Sequence, residues 1–493
     1  MCWTCRKFFC SDHKNDPEHL CCTIPYDDDG QRVRDEITKA AEIEIFERTI
    51  RGLDAKLIVQ QAQSLRPGHT CTFELPTVLQ SGPEEYSMFN YHFPLEFDDG
   101  IKWLVRARRA SWEVPPLEVQ LLVDECEVTT MRVLKAAGAS VPNAWLPRQI
   151  DVHDKKAVHR TSYIFVEFLE GRPLITNAAP LTTGTIIEEL ASRLINDMAR
   201  HHQAISRIRI DPQQAGIGSL YQNHEGTPRY KIGPFTVASI MMIPDPPYFF
   251  GPFKTNKERY LRRIDMSLHW IMHDSFLLLD PVGKFLSLLE VWDLVEGNEE
   301  LGKEETEVYI KHGDDKNDQY MLREDGSLVG LIDWEWAYVT TKAEAFCAPV
   351  GLYLTPAYIN GNDDLSKEEH LLIAAHERLG RPDLADCVRN GRIYHRLDDS
   401  LTYFDPYGPK LEAVNAIRRT FLGDKAGMPF QTHDEWKKSA LEKYGKNEHV
   451  QELIRRYGER FRKKKVEDTV DSSVEHQHQT EEEEDIVDND RRH

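Results

Sequence analysis

One stretch constrains this chain more than any other: His312 to Ala337, HGDDKNDQYMLREDGSLVGLIDWEWA. Two short apolar runs, Gln319 to Leu322 and Leu328 to Ile332, flank Glu324-Asp325-Gly326-Ser327. Glycine among small polar residues supplies the positive φ that a tight turn needs, so the segment predicts loop, strand, turn, strand. A hairpin returns the chain to where it started. Asp314, just before the first strand, and Asp333, just after the second, are therefore expected at the same end. Two carboxylates so placed can divide labour, one accepting a proton and the other holding a divalent cation. Asp333 also sits between Ile332 and Trp334, where an unpaired carboxylate is costly, so a partner or ligand is expected for it.

The rest of the chain divides into pieces of different character. Its 493 residues correspond to roughly three units at ordinary domain sizes. Residues 1–24 are a Cys/His cluster, residues from about 30 to 465 alternate strand and helix signals, and residues 466–493 form a polar tail. Asp35 to Leu65 reads as one helix. Phe89–Phe97, Ile101–Arg106 and Ser162–Phe168 read as strands, and Leu117 to Ala137 as an amphipathic helix ended by Gly138. From about residue 185 helices dominate. A strand-rich part followed by a helix-rich part predicts an α+β chain of two lobes, 30–172 and 173–465, without internal repeats.

Composition excludes several classes. A hydrophobic share of 40% over this length can bury a sizeable core, and no run of about 18 apolar residues exists, so no membrane span is expected. The first residues lack the apolar stretch of a signal peptide, which predicts a cytoplasmic or nuclear protein whose thiols are reduced or metal-bound. The net charge of −21 argues against nucleic acid as a partner. Much of that charge is local: the tail 466–493 holds eleven acidic and two basic residues, too few apolar groups to offset chain entropy, and is expected to be disordered. The basic run Arg455 to Lys465 before it reads as a helix end, where cations are favourable.

The central motif resembles that of the aminoglycoside phosphotransferase family, a branch of the protein-kinase-like fold. His312-Gly313-Asp314 and Ile332-Asp333-Trp334-Glu335 carry the likeness. Further segments extend it. FDDGIKWLVRARR (Phe97 to Arg109) is similar to the family's third-strand region, and ECEVTTMRVLKAAGASVPNAW (Glu125 to Trp145) to its helix C. YIFVEFLEGRPL (Tyr163 to Leu174) is similar to its hinge, and IGSLY with two Gly-Pro pairs to its fungal-type members. The resemblance implies transfer of the ATP γ-phosphoryl to a hydroxyl of a small molecule that the sequence does not identify, with magnesium as cofactor. Asp314 would orient or deprotonate the acceptor, with His312 supporting its loop, and Asp333 would ligate magnesium. Arg106 would contact phosphate and pair with Glu127, while Glu167, Phe168 and Leu169 would lie beside the adenine.

Two departures favour an alternative. Five positions after Asp314, where the family has Asn, stands Gln319, whose amide is one methylene further out; magnesium demands near-ideal octahedral geometry. The stretch Ser81 to Asn90, SGPEEYSMFN, has one glycine and two glutamates where phosphates would approach. These features also fit a catalytically impaired kinase-like binding protein.

Residues 2–21, CWTCRKFFCSDHKNDPEHLC, carry thiolate and imidazole groups in close pairs, as tetrahedral zinc requires. The spacing resembles the later part of an AN-one type zinc finger. That resemblance implies one site from Cys2, Cys5, His19 and Cys21, and an incomplete second from Cys10 and His13, with a protein partner recruited through the module. Cys71, Cys126, Cys347 and Cys387 read as structural thiols.

Overall fold

The structure is a computed structural model that describes residues 28–77, 89–111, 115–147, 161–174, 188–208, 210, 216–224, 228–238, 246–273, 278–304, 306–402 and 408–457. The Cys/His cluster with Cys2, Cys5, Cys10, His13, His19 and Cys21, the acidic tail and most of the Ser81–Asn90 stretch lie outside the described residues. No described helix is long and apolar enough to cross a membrane.

The single helix expected over Asp35–Leu65 is two, α1 (Asp28–Arg51) and α2 (Ala55–Leu65). The break has a local cause: Asp54 leaves helical φ/ψ and its carboxylate accepts from Lys56 N and Leu57 N at 3.0 and 3.1 Å, capping a new helix. Both helices lie on a five-stranded antiparallel sheet of order β1-β2-β3-β5-β4: β1 (Cys71–Thr72), β2 (Asn90–Phe97), β3 (Lys102–Arg108), β4 (Ala144–Trp145) and β5 (Tyr163–Glu167). Ile45, Phe46, Ile58 and Ala62 of the helices bury against Phe93, Leu95, Trp103, Val105 and Phe165 of the strands. Helix α3 (Leu117–Ala136) ends before Gly138, which takes φ 83°.

The α3 residues Val128, Met131 and Leu134 share a core with Ile164 and Val166 of β5 and with the helical part that follows. A three-stranded sheet there joins β6 (Arg172–Pro173), β10 (Tyr320–Leu322) and β11 (Leu328–Leu331), in the order β11-β10-β6. Helix α4 (Glu188–Ile205) packs beside the helix Lys367–Arg378. A hairpin, β7 (Ser219–Gln222) and β8 (Tyr230–Gly233), lies against α3, and Gly218 bridges to Val339 on β12 (Tyr338–Thr340), which pairs with β9 (Tyr309–Lys311). Helices α5 (Asn256–Met272) and α6 (Pro281–Glu296) form a separate apolar core with later helices around Trp436. Helix α3 ends within a residue of the expected Leu117–Ala137, whereas most of the basic run Arg455 to Lys465 lies outside the described residues.

Candidate active site

The β10–β11 hairpin brings Asp314 and Asp333 to one end. Tyr320 pairs with Leu331 and Met321 with Gly330, and Gly326 in the turn has φ 78°. Beyond β11 the backbone is held tightly. Ile332 N donates to Gln319 O at 3.1 Å, and Ile332 O faces His312 Nε2 at 3.0 Å. His312 Nδ1 accepts from Asp314 N at 3.1 Å, which leaves the Nε2–H to donate to Ile332 O. One neutral imidazole thus couples the Asp314 loop to the residue before Asp333, and its ring lies 4.6 Å from that of Trp334. Asp333 has φ 65°; no other non-glycine residue among those described has a positive φ. A non-glycine residue in the left-handed region is strained and concentrates at working sites.

Arg106, Arg108 and Arg109, adjacent on and after β3, are all buried. Arg106 Nη1 lies 3.1 Å from Glu127 Oε1 on α3. Its Nη2 donates to Asp333 Oδ1 at 2.6 Å and to Glu335 Oε2 at 2.8 Å. Arg108 donates to Glu335 and, at 2.7 Å, to Asp124. Arg109 turns the other way and pairs with Glu42 on α1. Two guanidinium groups therefore face four carboxylates: Glu127, Asp333, Glu335 and Asp124. The imbalance shows in the acids. Burial pushes the Glu127 carboxyl above its ordinary range, aided by Glu335 and Asp333 and opposed by Arg106. Burial acts the same way on Asp333, but the Arg106 guanidinium outweighs it and holds that carboxyl below its ordinary range.

Asp314 is half-buried. Desolvation raises its carboxyl, against Lys316, whose Nζ lies 2.9 Å from Asp314 Oδ2. Gln319 is buried, with Nε2 at 3.5 Å from the same oxygen. Its Oε1 is buried without a hydrogen-bond partner among the described residues.

A cleft opens between the sheet and the hairpin, lined by Leu104, Met131, Val166, Phe168, Leu169 and Met321, with Arg106 and Asp333 at one end. Its volume is about 90 Å³. Glu167 lines it too, but its carboxylate is turned to the loop after α3, accepting from Asn143 N and Nδ2, each at 2.8 Å. Leu169 follows at the strand end.

The structure thus gathers Arg106, Glu127, His312, Asp314, Gln319 and Asp333, with Glu167 and Leu169 along the same cleft. Glu335, Arg108, Asp124 and Lys316 belong to the cluster and were not singled out from the sequence. Glu335 carried a signal: a carboxylate between Trp334 and Trp336 meets the same cost argument as Asp333. The partners Asp124 and Arg108 become visible only when α3 packs on β3.

No protein-family model and no curated protein matches the chain. Solved structures do. The gentamicin complex of APH(2'')-IIa is 14% identical over 70% of this chain and 89% of its own, with a TM-score of 0.39. The ADP-bound aminoglycoside phosphotransferase APH(2'')-Ib is 14% identical over 75% of this chain and 99% of its own, at 0.40. A macrolide 2'-phosphotransferase type I is 13% identical over 79% of this chain and 96% of its own, at 0.35.

Proposed function

We propose that the chain is a kinase-like phosphotransferase of the aminoglycoside phosphotransferase type, which moves the γ-phosphoryl of ATP to a hydroxyl of a small molecule. The observation that supports this most is the meeting at one cleft of the Arg106–Glu127 ion pair and Asp333 at positive φ, with Asp314 at the same end of the hairpin. In this reading Asp314 orients or deprotonates the acceptor hydroxyl, and His312 keeps the Asp314 loop in register with Ile332. Arg106 faces the phosphates, Glu127 steadies it from α3, and Glu167 and Leu169 border the adenine. Phosphotransfer of this kind is positioning plus charge neutralisation, which these groups can supply.

The residues fit a divalent cation. Asp333 uses only Oδ1 for Arg106, Gln319 Oε1 is a buried acceptor without a partner among the described residues, and the cluster has more carboxylates than cations. Asp333 and Gln319 would hold it. Magnesium, when bound, neutralises charge on the phosphate oxygens.

A second reading, a nucleotide-binding or non-binding relative with impaired chemistry, is favoured by one observation: the cleft volume of about 90 Å³ is well below the roughly 300 Å³ at which ligand sites begin. Thermal unfolding of the full chain with magnesium and ATP separates the two. Ligand at a hundred times its dissociation constant adds about 2.7 kcal/mol, an easily read shift. Absence of a shift at millimolar ATP sinks the enzyme reading. Given a shift, ATP turnover should disappear in Asp314→Ala; an unchanged rate refutes the role of Asp314.

The cluster around Cys2, Cys5, His19 and Cys21 is proposed as a zinc module that recruits a protein partner, from its spacing alone. Metal analysis should find about one zinc per chain, lost in Cys2→Ser or Cys5→Ser.

A further inference from the structure

Glu335 lies two residues past Asp333 and is 1% exposed. Its Oε2 accepts from Asn90 Nδ2 on β2 at 2.9 Å and from Arg106 Nη2 on β3 at 2.8 Å. Its Oε1 accepts from Arg108 Nη1. Arg108, equally buried, donates its Nη2 to Asp124 on α3 at 2.7 Å. A single carboxylate therefore gathers two strands directly and, through Arg108, the helix that carries Glu127. The next residue repeats the attachment with apolar contact: Trp336 packs on Val119 and Val123 of α3, and its ring meets Phe89 edge-on at 5.4 Å.

We propose that Glu335 is a positioning residue that bolts β2, β3 and α3 onto the segment carrying Asp333. The Arg106–Glu127 pair and Asp333 are thereby held in one arrangement with no external signal. Both oxygens of Glu335 are already engaged by donors, two of them cationic, whereas Asp333 Oδ2 accepts from none among the described residues; this division assigns cation binding to Asp333 and anchoring to Glu335. Removing the Glu335 charge takes away the one carboxylate that Arg106 and Arg108 share, leaving Arg106 with Glu127 and Asp333 and Arg108 with Asp124 alone, so β2, β3 and α3 lose their common attachment and loosen. The magnesium and ATP readout rests on the phosphotransfer reading; the exchange readout does not.

The test uses the full chain with Glu335→Gln, Glu335→Asp and Asn90→Ala, followed by hydrogen exchange and by magnesium titration of the ATP-induced thermal shift. In Glu335→Gln, amides of α3 and β3 should exchange about tenfold faster, while those of the helix Lys367–Arg378 stay unchanged. Any rise in the magnesium concentration giving half the ATP shift should come together with the faster exchange, and Glu335→Asp should recover part of the protection. If α3 and β3 exchange is unaltered and the magnesium requirement rises, Glu335 is a cation ligand and the proposal fails. Should Glu335→Gln not fold, Asn90→Ala decides, since it removes one neutral donor: faster exchange at β2, β3 and α3 supports the anchor, unchanged exchange overturns it. A wild type without an ATP shift defeats the phosphotransfer reading alone, because the exchange data still judge Glu335.

Discussion

Nη2 of Arg106 sits 2.6 Å from Oδ1 of Asp333, so a strand cation and the carboxylate expected to hold a metal are ion-paired across the cleft. The same guanidinium faces Glu127 and Glu335. Its loss would leave three neighbouring carboxylates without their shared counter-ion. Breaking a buried pair from one side costs about 3–5 kcal/mol. Arg106→Gln should lose stability of that order in urea unfolding, and magnesium without nucleotide should restore part of it, because a divalent cation can take the vacated role. Unchanged stability, or no magnesium effect beyond that in wild type, would show that the carboxylates are not held by Arg106.

Gln319 gives a prediction with two readouts of opposite direction. Its Oε1 is a buried acceptor without a partner among the described residues, and such a group costs about 1–3 kcal/mol in the free protein. Gln319→Leu keeps much of the volume and removes that group. The free variant should be as stable as wild type or more so in chemical denaturation. The stabilisation by ATP with magnesium should shrink, with a higher magnesium concentration at half effect. A variant that is less stable yet responds normally to magnesium and ATP would mean that Gln319 serves packing alone.

Much of this was legible in the sequence, and the reason is locality. The hairpin follows from a glycine turn between two apolar runs, so Asp314 and Asp333 could be placed without any tertiary knowledge. The α3 helix was readable from its apolar period and the glycine at its end. The break between α1 and α2 was not, because Asp54 as a cap competes with a continuous helical pattern and wins only through two hydrogen bonds. Arg106 was expected beside Glu127 from the family resemblance, but the directions of Arg108 and Arg109 were not legible. Only the packing of α1 and α3 on the sheet shows that Arg108 joins Arg106 on the cleft side while Arg109 meets Glu42. Glu335 was missed for the same reason: its donors are 227 to 245 positions away in the chain.

The helices α1 and α2 are integral to the strand-rich part. Ile58 of α2 is fully buried against the sheet, in the cluster with Phe93, Leu95 and Phe165. Ile58→Ala should cost about 2–5 kcal/mol, the ordinary penalty of a large-to-small change in a packed core. Val33 on α1, 41% exposed, is the control, and Val33→Ala should cost little. Urea unfolding reads both. Equal small effects would mean that the helix pair lies loosely on the sheet.

A buried group of histidines gives the chain a titration signature separate from the site. His376 is fully buried and neither ring nitrogen has a partner among the described residues; its ring stacks on His202 at 5.5 Å. Burial lowers its pKa to about 4, with Arg381 adding to the shift and Asp383 opposing it. Unfolded, the imidazole titrates near 6.5. Between these values the unfolded chain binds the extra proton, so the stability tied to neutral His376 is complete above about pH 6.5 and is lost as the pH falls toward 4. His376→Phe removes the titration and the unpartnered nitrogens together. At pH 7.5 the variant should be about as stable as wild type. As the pH is lowered to 4.5, wild type should lose on the order of 1–3 kcal/mol relative to the variant, whatever the other acids and bases contribute to both. Chemical denaturation of the two proteins at four or five pH values reads the difference directly. Parallel curves would mean that His376 is protonated, or solvated, in the folded protein.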